Sequence, residues 1–346
     1  MPPPPPRAPS LPPIIRRSLA SLSSLGVVAA RWSPEDDRRD ILEKIHRIVK
    51  YVLPREQACG RLPEYIPADS VELESREIGR STTATGEGGE LAALEGCGAE
   101  QDDLKDRKWH AQIFMVHTAP CQQVGPSCGF AALTVVGQLF PPRNPTEASA
   151  HALTASSFES MLQWARMRNY TSVGEMFSTA DLLATLVGHF DCTARLQLFT
   201  ADGDAEEESA AVEAIREHVE NGGLVVMPYD MGKNHEPALE NGHSAHWCAI
   251  VGSVQLERQS PLDEVGMYVI CRHGQSARHA VWNLRHLVRS NFGLREFGPK
   301  RLSTGISYVV KDHTDLKEIR GTAVFVDGTS NDTSVIWRRR CDLDQL

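Results

Sequence analysis

A change of hydrophobic period near Gly222 and Gly223 constrains this chain's fold more than any other feature. Before it, apolar residues recur at helical spacing over 130–140, 158–168, 179–188 and 209–221. After it they gather in short runs at 224–227, 247–251, 267–270, 306–310 and 323–326. Runs of that length bounded by polar and glycine residues read as buried strands. Helices first and strands later predict an α+β fold, with N-terminal helices packed on an antiparallel β-sheet.

The flanks read differently. Residues 1–33 open with the unbroken run Pro2, Pro3, Pro4, Pro5 and Pro6, which favours an extended polyproline II tail able to dock in aromatic grooves. The same stretch holds Arg7, Arg16, Arg17 and Arg31 with no acidic residue, a transit-peptide composition that the early prolines fit poorly. Residues 34–107 are expected to hold one short surface helix and then an acidic, glycine-rich linker. The helix begins at Ser33-Pro34-Glu35-Asp36 and continues through Ile41, Ile45, Ile48 and Val52. Residues 108–330 form the expected catalytic domain, with order starting near Trp109, and 331–346 are expected to be a tail.

Composition narrows the function. A net charge of −9 is wrong for broad phosphate-backbone binding, so no nucleic-acid partner is expected. No apolar run is long enough for a membrane helix, and no membrane partner is expected. Eight cysteines without a CxxC pair read as reduced thiols, which suggests a cytoplasmic protein.

The densest chemical signal is Gln122-Gln123-Val124-Gly125-Pro126-Ser127-Cys128-Gly129-Phe130. A turn leads into a cysteine that opens an apolar helix, where unpaired N–H groups and the helix dipole favour thiolate. Gly129 lets a substrate backbone approach closely. A glutamine five or six residues upstream, Gln123 or Gln122, can offer its amide, beside the Cys128 N–H, to a developing oxyanion.

A thiol nucleophile needs a base that is distant in sequence and adjacent in space. His246, directly before the strand signal 247–251, is the first choice; His235 and His243 read as loop residues with structural roles. No metal or other cofactor is expected, because His235-Glu236 lacks a second histidine at helical spacing and Pro237 would break such a helix. The residue that orients the imidazole stays open among the Gln275 side chain, a nearby backbone carbonyl, Asp230 and Asn283.

Several segments together resemble the actin maturation protease family: 123–129, Gly174-Glu175-Met176-Phe177-Ser178, Pro228-Tyr229-Asp230, 234–237 and 242–247. A more distant similarity is to papain-like peptidases of the bacteriocin-processing type. The resemblance implies a papain-like cysteine peptidase fold and an aminopeptidase that removes the N-acetylated first residue, methionine or cysteine, from newly made actin. It assigns Cys128 as nucleophile, His246 as base and Gln123 as oxyanion donor, with the proline tail engaging profilin. Gly174-Glu175-Met176-Phe177 would help form an apolar pocket for the capped residue. Lys233, Arg272 and Arg278 would attract an acidic substrate. Two other readings stay open, namely a papain-like deubiquitinase or amidase, and a non-catalytic scaffold docking through its proline tail.

Overall fold

A mostly antiparallel sheet, reached through a set of helices, organises the computed structural model. It describes residues 33–52, 109–143, 155–199, 205–258, 266–303, 305–312, 314–328 and 336–343. The proline run and most of the acidic linker lie outside these residues.

Helix α1 (Pro34–Arg47) starts where capping chemistry dictates. Ser33 accepts the Asp36 N–H, Pro34 opens the first turn, and Glu35, Asp36 and Asp37 face the positive helix end. A one-turn π segment, Ile48–Val52, follows. This helix is no surface appendage, because Ile41 and Ile45 are fully buried and Asp37 and Lys44 are buried with them. The physical reason is a buried ion pair, described below, that binds it to the end of a distant strand.

Strand β1 (Trp109–Val116) is the next described element. Helices α2 (Cys128–Gly137), α3 (Ala155–Met167) and α4 (Thr179–His189) follow, then β2 (Ala194–Leu198) and α5 (Ala205–Glu220). After Cys128 every residue of α2 is buried, so this helix is the apolar pillar against which the sheet packs. The strand-rich half holds β3 (Leu224–Asp230), β4 (Ala245–Arg258), β5 (Met267–Arg272) and β6 (Ala280–Asn283). Helices α6 (Leu284–Phe292) and α7 (Pro299–Leu302) precede β7 (Thr322–Val326) and β8 (Ile336–Asp342).

The strand order is β2-β7-β3-β4-β1-β8, with β5 on β4 and β6 on β5, and every registered pair is antiparallel. The long strand β4 is the hub. Its first half, 245–250, pairs with β3; its second half, 252–258, pairs with β1; and β5 runs along 249–255. A register shift falls between Ile250 and Gly252. Glycine is required there, since a Cβ on Gly252 would meet the Phe114 carbonyl oxygen at 2.4 Å.

Beyond α1, three expectations are corrected. Strands β1 and β2 lie ahead of Gly222, where only helices were expected. The run 306–310 forms no strand; its Tyr308 ring packs on Phe177 and Phe297, and the Ser307 carbonyl accepts from the Ser172 hydroxyl. The segment expected as a tail supplies β8, whose Ile336–Asp342 backbone completes the edge of β1. Its Arg338, Arg339 and Arg340 hide the strand from a hydrophobic reading, because an edge strand needs few buried side chains.

Candidate functional site

Cys128 stands at the first turn of α2, at the end of a tightly tied loop. Gly125 takes φ +66°, the Ser127 hydroxyl donates to the Val124 carbonyl at 3.0 Å, and the Gln123 N–H donates to the Gly274 carbonyl at 2.8 Å. That last bond fastens the loop to the chain just past β5. The Cys128 sulfur is partly buried and accepts the backbone N–H of Trp247 as well as those of Gly129 and its own residue. It therefore lies against the start of β4, one residue from His246.

A helix end by itself lowers a thiol pKa, which is the sequence expectation here. The structure reverses that sign: burial raises the Cys128 pKa, and the backbone N–H groups and nearby Arg301 only partly oppose the rise. Desolvating an anion outweighs the dipole of a single helix end. The resting sulfur is thus a thiol, and reactivity requires a base.

His246 is buried, and its Nε2 lies 2.7 Å from the His273 carbonyl oxygen. A carbonyl can only accept, so Nε2 carries the proton and Nδ1 keeps its lone pair. Burial depresses the imidazole pKa to about 4, with Arg301 adding to the effect and the carbonyl opposing it. At neutral pH the ring is therefore an uncharged acceptor. The Tyr229 ring, its partner across β3 and β4, stands edge-on at 5.6 Å and limits its tilt.

The orienting group is the His273 backbone, which corrects the choice of Gln275. Gln275 contributes its backbone N–H to His273 Nδ1 at 3.4 Å and does not hold His246. The other two candidates have structural tasks. Asp230 is fully buried and accepts from the N–H groups of Glu240, Gly242 and Ser244, which shapes the loop leading to His246. Asn283 caps α6 by accepting from Arg285 and His286. Gln123 is at the site, and its amide nitrogen donates to the Gly125 carbonyl at 3.0 Å while its buried oxygen has no partner. The amide nitrogen's second hydrogen stays free of that bond.

Arg272 cannot attract a substrate, since it is 2% exposed and tied to Asp37 at 2.8 Å, to Thr118 O at 2.7 Å and to Ala277 O at 2.6 Å. His279 Nδ1 lies 3.2 Å from the same Asp37 carboxylate, and Lys44 donates to the His279 carbonyl. These contacts brace 272–279, the segment that supplies the carbonyl holding His246. Arg278 is exposed and lines a cleft of about 320 Å³ with Lys44, His235, Glu236 and Trp282. His243 pairs with Glu296 at 3.2 Å, and His235 stacks on His273 at 5.3 Å.

Two charged residues at the site escape the sequence reading. The Arg301 guanidinium donates to the Ala245 carbonyl at 2.6 Å and lies over the rings of Phe177 and Phe297. It comes from a stretch without motif or periodicity, so no sequence signal marks it. Glu175 sits inside a segment read only for its apolar neighbours. It is buried, neither carboxyl oxygen meets a hydrogen-bond partner outside its own backbone among the described residues, and burial raises its pKa to about 8.

Residues 118–254, which run from the Cys128 loop through His246 and most of β4, match the family described as "Actin maturation protease-like, C-terminal domain". The chain is 28% identical over 239 residues to the actin maturation protease of Danio rerio, covering 61% of this chain and 72% of that protein. It is 33% identical over 188 residues to the actin maturation protease of Drosophila melanogaster, covering 54% of this chain and 59% of the relative. It is 30% identical over 210 residues to that of Xenopus tropicalis, with 54% and 64% covered. The chain thus spans less than two thirds of the length of the latter two. No solved structure matches the chain.

Proposed function

We propose, from the match of residues 118–254 to the actin maturation protease-like family, that this chain is a papain-like cysteine peptidase that removes an N-acetylated methionine or cysteine from actin. The observation that supports the chemistry is the interaction of the Cys128 sulfur with the Trp247 N–H, the next residue along β4 from His246, whose Nε2 is tied to the His273 carbonyl.

In this mechanism His246 Nδ1 takes the Cys128 proton as the sulfur attacks the carbonyl of the first peptide bond. The thiolate exists only as the bond forms, which suits a thiol and an imidazole that both rest uncharged. Negative charge moves to the carbonyl oxygen, where the Cys128 N–H and the free Gln123 amide hydrogen stabilise it. Collapse breaks the C–N bond, and His246 returns the proton to the leaving amine. Water then adds to the thioester with Nδ1 as base, releasing the acetylated residue and regenerating the thiol.

Actin as substrate follows the names of the relatives, and docking of profilin on Pro2 to Pro6 is part of the same proposal. Acetyl-Met and acetyl-Cys actin peptides, weighed before and after incubation, test it. Loss of one acetylated residue is expected, with Cys128→Ala and His246→Ala falling by at least about 10³-fold. A fully active Cys128→Ala protein would sink the thiol mechanism; intact peptides with the wild type would sink the substrate.

A further inference from the structure

Segment 174–176 crosses directly over the tip of α2. A Cβ placed on Gly174 would lie 3.1 Å from the Pro126 carbonyl and 3.2 Å from Ser127 Cβ, at φ +129°, so no larger residue fits without strain. A Cβ on Gly129 would lie 3.2 Å from Met176 Cγ, and the Met176 carbonyl accepts the Trp247 indole N–H at 2.9 Å. Residues 174 and 176 are thus pressed against 127 and 129. Glu175, between them, is held beside Cys128.

Its carboxyl is anomalous for a structural residue. Glu175 is 8% exposed, and among the described residues neither oxygen meets a hydrogen-bond partner outside its own backbone and the side chain forms no ion pair. Arg166 and Arg301 act on it electrostatically, yet their guanidinium groups donate to the Ser172 and Ala245 carbonyls. A buried carboxyl without a side-chain partner among the described residues is less favourable than a hydrocarbon side chain of the same shape. A partner supplied from outside the fold accounts for it.

We propose that the Glu175 carboxyl is the anchor that reads the blocked amide at the substrate's N-terminus. This deepens the peptidase reading and rests on it. A protonated carboxyl offers one donor and one acceptor, and an acetylated terminus offers a carbonyl and an N–H in return. Burial raises the Glu175 pKa to about 8 and so keeps it protonated near neutral pH, with its own backbone N–H, Arg301 and Arg166 opposing the rise only in part. A free α-ammonium finds no carboxylate here and meets the Arg301 cation instead. Discrimination for a capped terminus follows.

The test uses Cys128→Ser protein, which binds without turnover, titrated by tryptophan fluorescence with an acetyl-Met peptide of acidic sequence and with its free-amine counterpart. The expected preference for the acetylated peptide is at least about tenfold, falling to about threefold or less when Glu175→Met is added and largely kept with Glu175→Gln. An undiminished preference in Glu175→Met overturns the inference, as does a background without preference. If Glu175→Met does not fold, the pH series decides. Acetyl-peptide affinity should drop about tenfold between roughly pH 7 and 9.5 with Glu175 and stay level with Glu175→Gln. Equal curves overturn the proposal. Parallel cleavage assays separate the two readings: an inactive wild type with intact Glu175-dependent binding sinks the peptidase alone, whereas cleavage with Glu175-independent binding sinks this inference alone.

Discussion

Replacing Asp37 with alanine isolates what α1 contributes to the site. Asp37 and Arg272 form an ion pair at 2.8 Å, with side chains 8% and 2% exposed. Removing the carboxylate strands a guanidinium in the interior, and breaking a buried pair in this way costs about 3–5 kcal/mol. The two carbonyls that Arg272 also binds, of Thr118 and Ala277, offset only part of the loss. For a domain of this size each kcal/mol moves the melting temperature by roughly 2–4 °C, so a fall of about 6–20 °C is expected. As a control, Asp327→Ala breaks an exposed pair with Arg195 at 3.3 Å and should cost no more than about 1 kcal/mol. The double variant Asp37→Leu with Arg272→Met should recover most of the stability, because it leaves no uncompensated charge. The assay is thermal unfolding followed by circular dichroism. An Asp37→Ala protein melting within a degree or two of the wild type would falsify the view that α1 is built into the domain that carries Cys128 and His246.

Acid should unfold the protein early. Burial depresses His246, His279 and His286 to about 4 and His273 to about 3, whereas the unfolded chain titrates near 6.5. Between these values the unfolded state binds more protons, so stability is full above about pH 6.5 and is lost progressively as pH falls from there toward the folded pKa values. Denaturant midpoints measured from roughly pH 7 to 4.5 should decline steadily, and a flat profile would count against neutral buried histidines. Gly252→Ala should cost at least about 2 kcal/mol, since its Cβ meets the backbone at Phe114 and Met115 rather than a movable side chain. A circular dichroism melt that leaves Gly252→Ala unchanged would refute the close approach of β1 and β4.

The sequence by itself determined the local units. Capping at Ser33, the apolar run after Cys128 and the strand signal after His246 each act over a few residues, where propensity and periodicity are strong. They sufficed for the α+β class and for naming Cys128 and His246 as candidates, but not for β1 and β2, which lie ahead of Gly222 where only helices were expected. What joins those units was decided by tertiary structure. The carbonyl that fixes the His246 tautomer belongs to a backbone, which no residue identity can reveal. The sign of the Cys128 shift depended on how much water the whole fold removes from the sulfur, and that exceeded the local pull of the helix. Glu175 and Arg301 act electrostatically on the Cys128 site from chain segments far apart, and Asp37 braces Arg272 across 235 positions of sequence. Long-range pairing of charges in a shared low-dielectric interior leaves no periodic trace in a single sequence, so only the packed structure could place them.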